Sequence, residues 1–305
     1  MRIVSLLPAA TEICFALDLG EDVVGVSPEC DFPPAVTGKP VVSRTLLEYE
    51  GKSSGETSRM VGERLANGEA LYQVDAPSLR AARPDLILTQ GLCEVCAPTL
   101  GDVEEVARRL PSPPEIVSLD PHRLEDVLSD IAQVARACGI EGRADALIAA
   151  LRDRIDRVAR LAAHATDRPK TVCLEWLAPL FLGGHWVPEM VNLAGGVDVL
   201  GRIGEKSRRV ETKEIVMASP EVAVLMPCGF DLERTWKEAP IVTGTAWWAD
   251  LPAAHSDRVW LVDGSGYFNR PGPRLIDGLE ILAHILQPSL FPRTPKRNDA
   301  QQWVG

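Results

Sequence analysis

Apolar residues recur in two periods along this chain. Short, mostly apolar stretches of four to six residues, at 2–7, 23–27, 85–89, 115–119, 171–174, 222–226 and 259–262, predict buried strands. Between them the spacing changes to three and four. Leu124, Val127, Leu128, Ile131 and Val134 lie on one helical face, and Leu147, Ile148, Leu151, Ile155, Val158 and Leu161 on another. Glycines at 139 and 142 separate the two faces. Further helices are predicted from Pro8 to about residue 19, closed by Gly20, and over 103–109, 188–200 and 271–286. Residues 43–68 are polar and read as a loop followed by a helix.

One unit is written twice. Ala81-Ala82-Arg83-Pro84-Asp85-Leu86-Ile87-Leu88 is echoed by Met217-Ala218-Ser219-Pro220-Glu221-Val222-Ala223-Val224. In both, a helix ends before a proline, which pushes the preceding residue out of the right-handed region. An acidic residue and an apolar strand follow. Leu17–Gly25 and Leu193–Gly201 form a second, weaker echo. Alternating strands and helices built twice predict two parallel-sheet α/β lobes joined by a long, rigid helical connector, with a ligand cleft between them. The boundaries expected are 1–120 for the N-terminal lobe, 121–165 for the connector, 166–290 for the C-terminal lobe and 291–305 for a tail.

Composition narrows the function. The chain has 305 residues, 46% hydrophobic and 25% charged, with a net charge of −11. Phosphate backbones require clustered Lys and Arg, so nucleic acid is excluded as a partner. No apolar run reaches the length of a membrane span. The first strand begins at once after Met1, with no signal-peptide pattern ahead of it, so the expected location is cytoplasmic. A start misassigned downstream of a leader would make it periplasmic.

Candidate chemistry gathers where parallel sheets bind ligands, beyond the carboxyl ends of their strands. Those ends carry Pro8, Glu29-Cys30-Asp31 and Cys93-Glu94-Val95-Cys96 in the first lobe. In the second they carry Glu175-Trp176, Cys228-Gly229-Phe230 and Gly264-Ser265-Gly266-Tyr267-Phe268. The spacing of Cys93 and Cys96 suits one soft metal ion, a redox disulfide, or two free thiols at a pocket. Cys30 is the third candidate ligand, and Asp31, Glu94 or His185 the fourth. Cys14, Cys138 and Cys173 lie in apolar patterns and read as small buried hydrophobes. His185 and Trp186 follow two glycines at a sharp loop. Seven tryptophans stand out against 5% aromatic content. They serve either core packing or as flat platforms for a planar ligand. GxSxG, Walker, HExxH and GxGxxG patterns are absent from the sequence, which leaves no catalytic residue to nominate.

Ile3-Val4-Ser5-Leu6-Leu7-Pro8-Ala9-Ala10-Thr11-Glu12, the Ala82–Ile87 segment, the helical connector and Tyr267-Phe268-Asn269-Arg270-Pro271-Gly272-Pro273-Arg274 together resemble the cobalamin-type periplasmic substrate-binding proteins. That helical-backbone class also binds ferric siderophores and haem, and the resemblance extends over about residues 1–288. It implies a non-enzymatic binder of cobalamin, another corrinoid or a related metal chelate. Pro8, Glu29, Trp176, Trp186, Phe268 and Arg270 would meet the ligand and His185 would approach its metal. If exported, the chain would serve an ABC transporter permease. The thiols set it apart from a typical transport receptor and resemble a cytosolic branch with Glu-Cys-Asp and Cys-x-x-Cys motifs. The alternative is therefore a cytosolic metalloprotein or enzyme holding zinc or an iron–sulfur centre on Cys30, Cys93 and Cys96.

Overall fold

A computed structural model describes residues 1–49, 51–91 and 97–304. The chain divides into two compact units. Residues 1–52, 56–121 and 125–150 form the first, and residues 53–55, 122–124 and 151–305 the second.

In the first unit, β1 (Ile3–Ser5), β2 (Val23–Val26), β3 (Ser43–Thr45), β4 (Tyr72–Val74), β5 (Leu86–Gln90) and β6 (Glu115–Leu119) follow in chain order. Four of them form a parallel sheet in the order β2-β1-β5-β6. The other two, β3 and β4, pair antiparallel beside it. The β5 positions are all buried, as a parallel strand covered on both faces requires. The crossover from β1 to β2 is α1 (Pro8–Ala16). Pro8 opens it where a missing N–H costs nothing. The helix stops before the expected Leu19, and Asp18, not Gly20, takes the left-handed conformation with φ 58°. A short polar side chain tolerates that region.

The written-twice unit is a structural repeat. In the first unit α2 (Ser54–Ala66) precedes α3 (Ala76–Ala82), which ends at Arg83 with φ 45° and ψ 60°. In the second unit the helix Thr212–Ala218 ends at Ser219 with φ 49° and ψ 59°. Each lies just before its proline. The acidic residue that follows does the same work in both copies. Asp85 accepts the Arg2 N–H at 2.8 Å and Glu221 accepts the Lys170 N–H at 2.8 Å. Each carboxylate thereby fixes where the neighbouring strand begins.

The first unit continues through α4 (Leu100–Ala107) and α5 (Leu124–Ala137). Val127, Leu128, Ile131 and Val134 on α5 are buried, as their spacing predicts. Cys138–Ile140 break the helix, with Gly139 at φ 67°. The boundary between the units then falls within α6 (Glu141–Ala162). On α6, Leu161 is exposed and the adjacent Ala162 is buried in its place.

Asp130 is the exception on the apolar face of α5. It is 6% exposed, and its Oδ2 has no hydrogen-bond partner. Burial, then Asp126 and Asp120, pushes its carboxyl from 3.8 up to about 7. Between those values the folded chain holds a proton that the unfolded chain releases, so stability falls as pH rises through that window. Asp130→Asn removes the charge while keeping the shape. It is expected to stabilise the protein by roughly 2 kcal/mol at pH 8 and by little at pH 4. Urea unfolding at the two pH values reads the difference, and equal effects at both would refute it.

The second unit holds β7 (Lys170–Leu177), β8 (Leu180–Leu182), β9 (Val197–Asp198), β10 (Arg208–Arg209), β11 (Val222–Leu225), β12 (Val259–Val262) and β13 (Ala300–Gln302). The order is β10-β8-β7-β11-β12-β13, with β9 beside β7. The centre, β7-β11-β12, is parallel. The stretch expected to trail off as a tail returns to the sheet. Ala300–Gln302 pairs antiparallel with β12, and Trp303 packs on Trp236 with ring centres 4.8 Å apart. Covering the β12 edge satisfies backbone groups that would otherwise stay open to pairing.

Candidate functional site

Two strand-end clusters result, one in each unit. In the first unit, Pro8 is half-buried at the start of α1. Around it, Thr11 Oγ1 donates to Ser5 Oγ at 2.8 Å and lies 3.1 Å from Cys30 Sγ, and Ser27 Oγ lies 3.3 Å from the same sulfur. Cys30 is thus a half-buried thiol among hydroxyls. Glu29 beside it is also half-buried. Cys93 and Cys96 lie outside the described residues. Among the described residues, no group of three or more His, Cys, Asp or Glu is placed to hold a metal ion. Zinc and iron–sulfur therefore find no support there.

In the second unit, β7 ends in Glu175 and Trp176. The Glu175 carboxylate accepts from Ser207 Oγ at 2.9 Å and from the Gly184 N–H at 3.3 Å. Burial raises its pKa, and those two bonds hold the rise back. Trp176 is half-buried. It donates from Nε1 to Ala178 O at 3.0 Å and meets Phe230 edge-on with ring centres 5.3 Å apart. The Arg234 guanidinium covers Phe230 at 3.7 Å from the ring centre. The indole is thus braced by a ring and a hydrogen bond while part of it stays open.

The loop before the helix α7 (Val187–Leu193) carries His185. Its φ is 52°. Its N–H donates to Glu205 O at 2.6 Å and its carbonyl accepts from Gly204 N at 2.9 Å. The imidazole lies 5.6 Å from that of His122 and 5.5 Å from Trp186, between ring centres. His122 belongs to the second unit's short segment 122–124. Leu124 N–H at the end of that segment donates to Glu189 at 3.0 Å.

Two residues expected to face a ligand pack inward. Trp186 is 4% exposed and Phe268 1% exposed, and Trp186 Nε1 donates to Phe268 O at 2.8 Å. An indole whose polar edge is satisfied inside the unit is a core residue. Arg270, by contrast, is half-buried, and its charge helps to lower the carboxyl of Asp263, which burial raises.

Residues 3–265 match the family described as periplasmic binding protein. The chain belongs to that family. Among curated relatives, the vitamin B12-binding protein of Vibrio cholerae is 24% identical over 287 residues, covering 94% of this chain and 89% of the relative. An uncharacterized ABC transporter substrate-binding lipoprotein of Bacillus subtilis, YvrC, is 24% identical over 297 residues, covering 95% of this chain and 81% of the relative. The same fold is seen in the periplasmic vitamin B12 binding protein BtuF of Vibrio cholerae, at TM-score 0.68 and 21% identity over 94% of this chain and 97% of that one. The periplasmic heme-binding protein RhuT from Roseiflexus sp. RS-1 superposes at TM-score 0.70 and 23% identity, over 95% and 98%.

These findings bear out the resemblance to cobalamin-type periplasmic binding proteins. They overturn the cytoplasmic expectation, because the family and these structures are periplasmic. That expectation rested on reading the first residues as a strand, whereas a leader is cleaved and forms no part of a fold. No described helix of this periplasmic binding protein is long and apolar enough to cross a membrane. Sequence reasoning passed over His122, Arg234 and the bracing role of Phe230. His122 lies three residues past the end of β6, so the strand-end rule that singled out Trp176 is the signal for it.

Proposed function

We propose that this periplasmic binding protein takes up a corrinoid, cobalamin in the first place, and hands it to an ABC transporter permease. The observation that carries the ligand class is Trp176. It is a half-buried indole at the carboxyl end of β7, braced edge-on by Phe230 and by Ala178 O. A rigid, partly open ring suits a broad planar metal chelate, because little side-chain entropy is lost on contact. Vitamin B12-binding relatives aligned over nearly the whole chain support the choice of corrinoid. The transporter-type relative supports a permease as partner. On this proposal Trp176 and Arg270 contact the corrinoid, with His185 directed to its metal.

Calorimetric titration with cyanocobalamin, adenosylcobalamin and cobinamide tests the proposal. Trp176→Ala is expected to weaken binding about tenfold while shifting the unfolding midpoint little, since the ring is already half solvated. Absence of binding by all three corrinoids would rule the proposal out. Haemin serves as the comparison ligand that distinguishes corrinoid from tetrapyrrole binding in general.

A further inference from the structure

We infer that His122 and His185 form a two-imidazole site for a divalent transition-metal ion of the copper, nickel or zinc class. The site shares His185 with the proposed corrinoid contacts, but its ion binding does not require a corrinoid. The two ring centres are 5.6 Å apart with the planes tilted by 45°. A metal–nitrogen bond of about 2.0–2.1 Å places each ring centre roughly 3.2 Å from a shared ion. The observed separation then corresponds to a nitrogen–metal–nitrogen angle of about 125°, near the tetrahedral range. Imidazole is the ligand type that suits these ions.

The protein holds both rings in place. His185 is fixed by a left-handed backbone with hydrogen bonds at both its N–H and its carbonyl. His122 is tethered two residues on, where Leu124 N–H meets Glu189. Both histidines are half-buried. The surrounding charges are mixed. Glu175 binds the N–H of Gly184, next to His185, and Glu189 lies in the first turn of α7. Arg123 adjoins Gly204. No third protein ligand of the His, Cys, Asp or Glu kind joins the pair among the described residues.

The test uses the full chain without an affinity tag, its thiols first blocked with N-ethylmaleimide so that cysteines do not compete. Calorimetry with Cu²⁺, Ni²⁺ and Zn²⁺ is expected to give one site, tightest for Cu²⁺. The Cu²⁺ spectrum by electron paramagnetic resonance should show coupling to two nitrogens. Affinity should fall as the pH is lowered, because protons compete with the ion for the imidazole nitrogens. His122→Ala, and His185→Asn, chosen because Asn accepts the left-handed backbone, should each weaken binding at least about tenfold. Circular dichroism confirms that both remain folded. Unchanged binding in the double variant, or coupling to fewer than two nitrogens, overturns the inference. Failure of corrinoids to bind leaves it standing.

Discussion

Gly184→Ala is expected to destabilise the protein by about 4 kcal/mol, through overpacking and a weakened bond to a carboxylate. A Cβ at this position would overlap the backbone nitrogen of Ser207, with the Lys206 carbonyl carbon at 2.7 Å and Glu205 O at 2.8 Å. All three obstacles are main chain, so no rotamer change relieves them. The 205–207 loop must move away, and with it Ser207, whose hydroxyl supports the half-buried Glu175. Gly184 N–H supplies the other bond to that carboxylate.

This carries a pH signature. The pKa of Glu175 is already raised in the fold, so its contribution to stability declines as pH climbs from the unfolded value through the folded one. Loss of its donors raises the folded value further. The penalty of Gly184→Ala should therefore be larger at pH 8 than at pH 4. Gly183→Ala is the control, since its Cβ would meet only side-chain atoms of Val187 and Cys173. It is expected to cost roughly 1 kcal/mol. Chemical unfolding of both variants at the two pH values measures this. A cost below that of Gly183→Ala would refute the argument.

Trp186→Ala is expected to cost about 4 kcal/mol of stability, as deletion of a large buried ring does. Trp186→Phe should cost about 2 kcal/mol, since it keeps much of the packing but leaves Phe268 O without its donor. These losses should be the same with and without ligand. Trp176→Ala shows the opposite pattern, a loss in binding with little loss in stability. Unfolding midpoints and corrinoid titrations on the same three variants separate the two roles. A stable Trp186→Ala protein with weakened ligand binding would show that the indole is a platform after all.

The contrast between these two tryptophans marks how far local pattern reaches. Both were nominated because both sit at strand or loop ends, and that placement is correct for each. What separates them is the partner of the indole N–H. For Trp176 it is Ala178, two residues away on the same turn, which leaves the ring at the edge. For Trp186 it is Phe268, more than eighty residues on, which draws the ring into the core. A hydrogen bond to a remote residue has no local signature in sequence. The same limit hid the pairing of Ala300–Gln302 with β12, since a polar three-residue edge strand has no apolar run to announce it.

The duplicated Pro-acid-strand segment could be read from sequence alone because its causes are local. A proline restricts the residue before it, and Asp85 or Glu221 then lies beside the backbone where the next strand starts. Strand and helix periods are equally local, and they determined the α/β class and the apolar face of α5. Only the tertiary structure decided which of those elements carry chemistry. His122 and His185 are 63 positions apart, and neither period nor motif links them. They meet because one follows β6 and the other turns sharply after β8, so their proximity is a property of packing, where burial and distance are set by residues far apart along the chain.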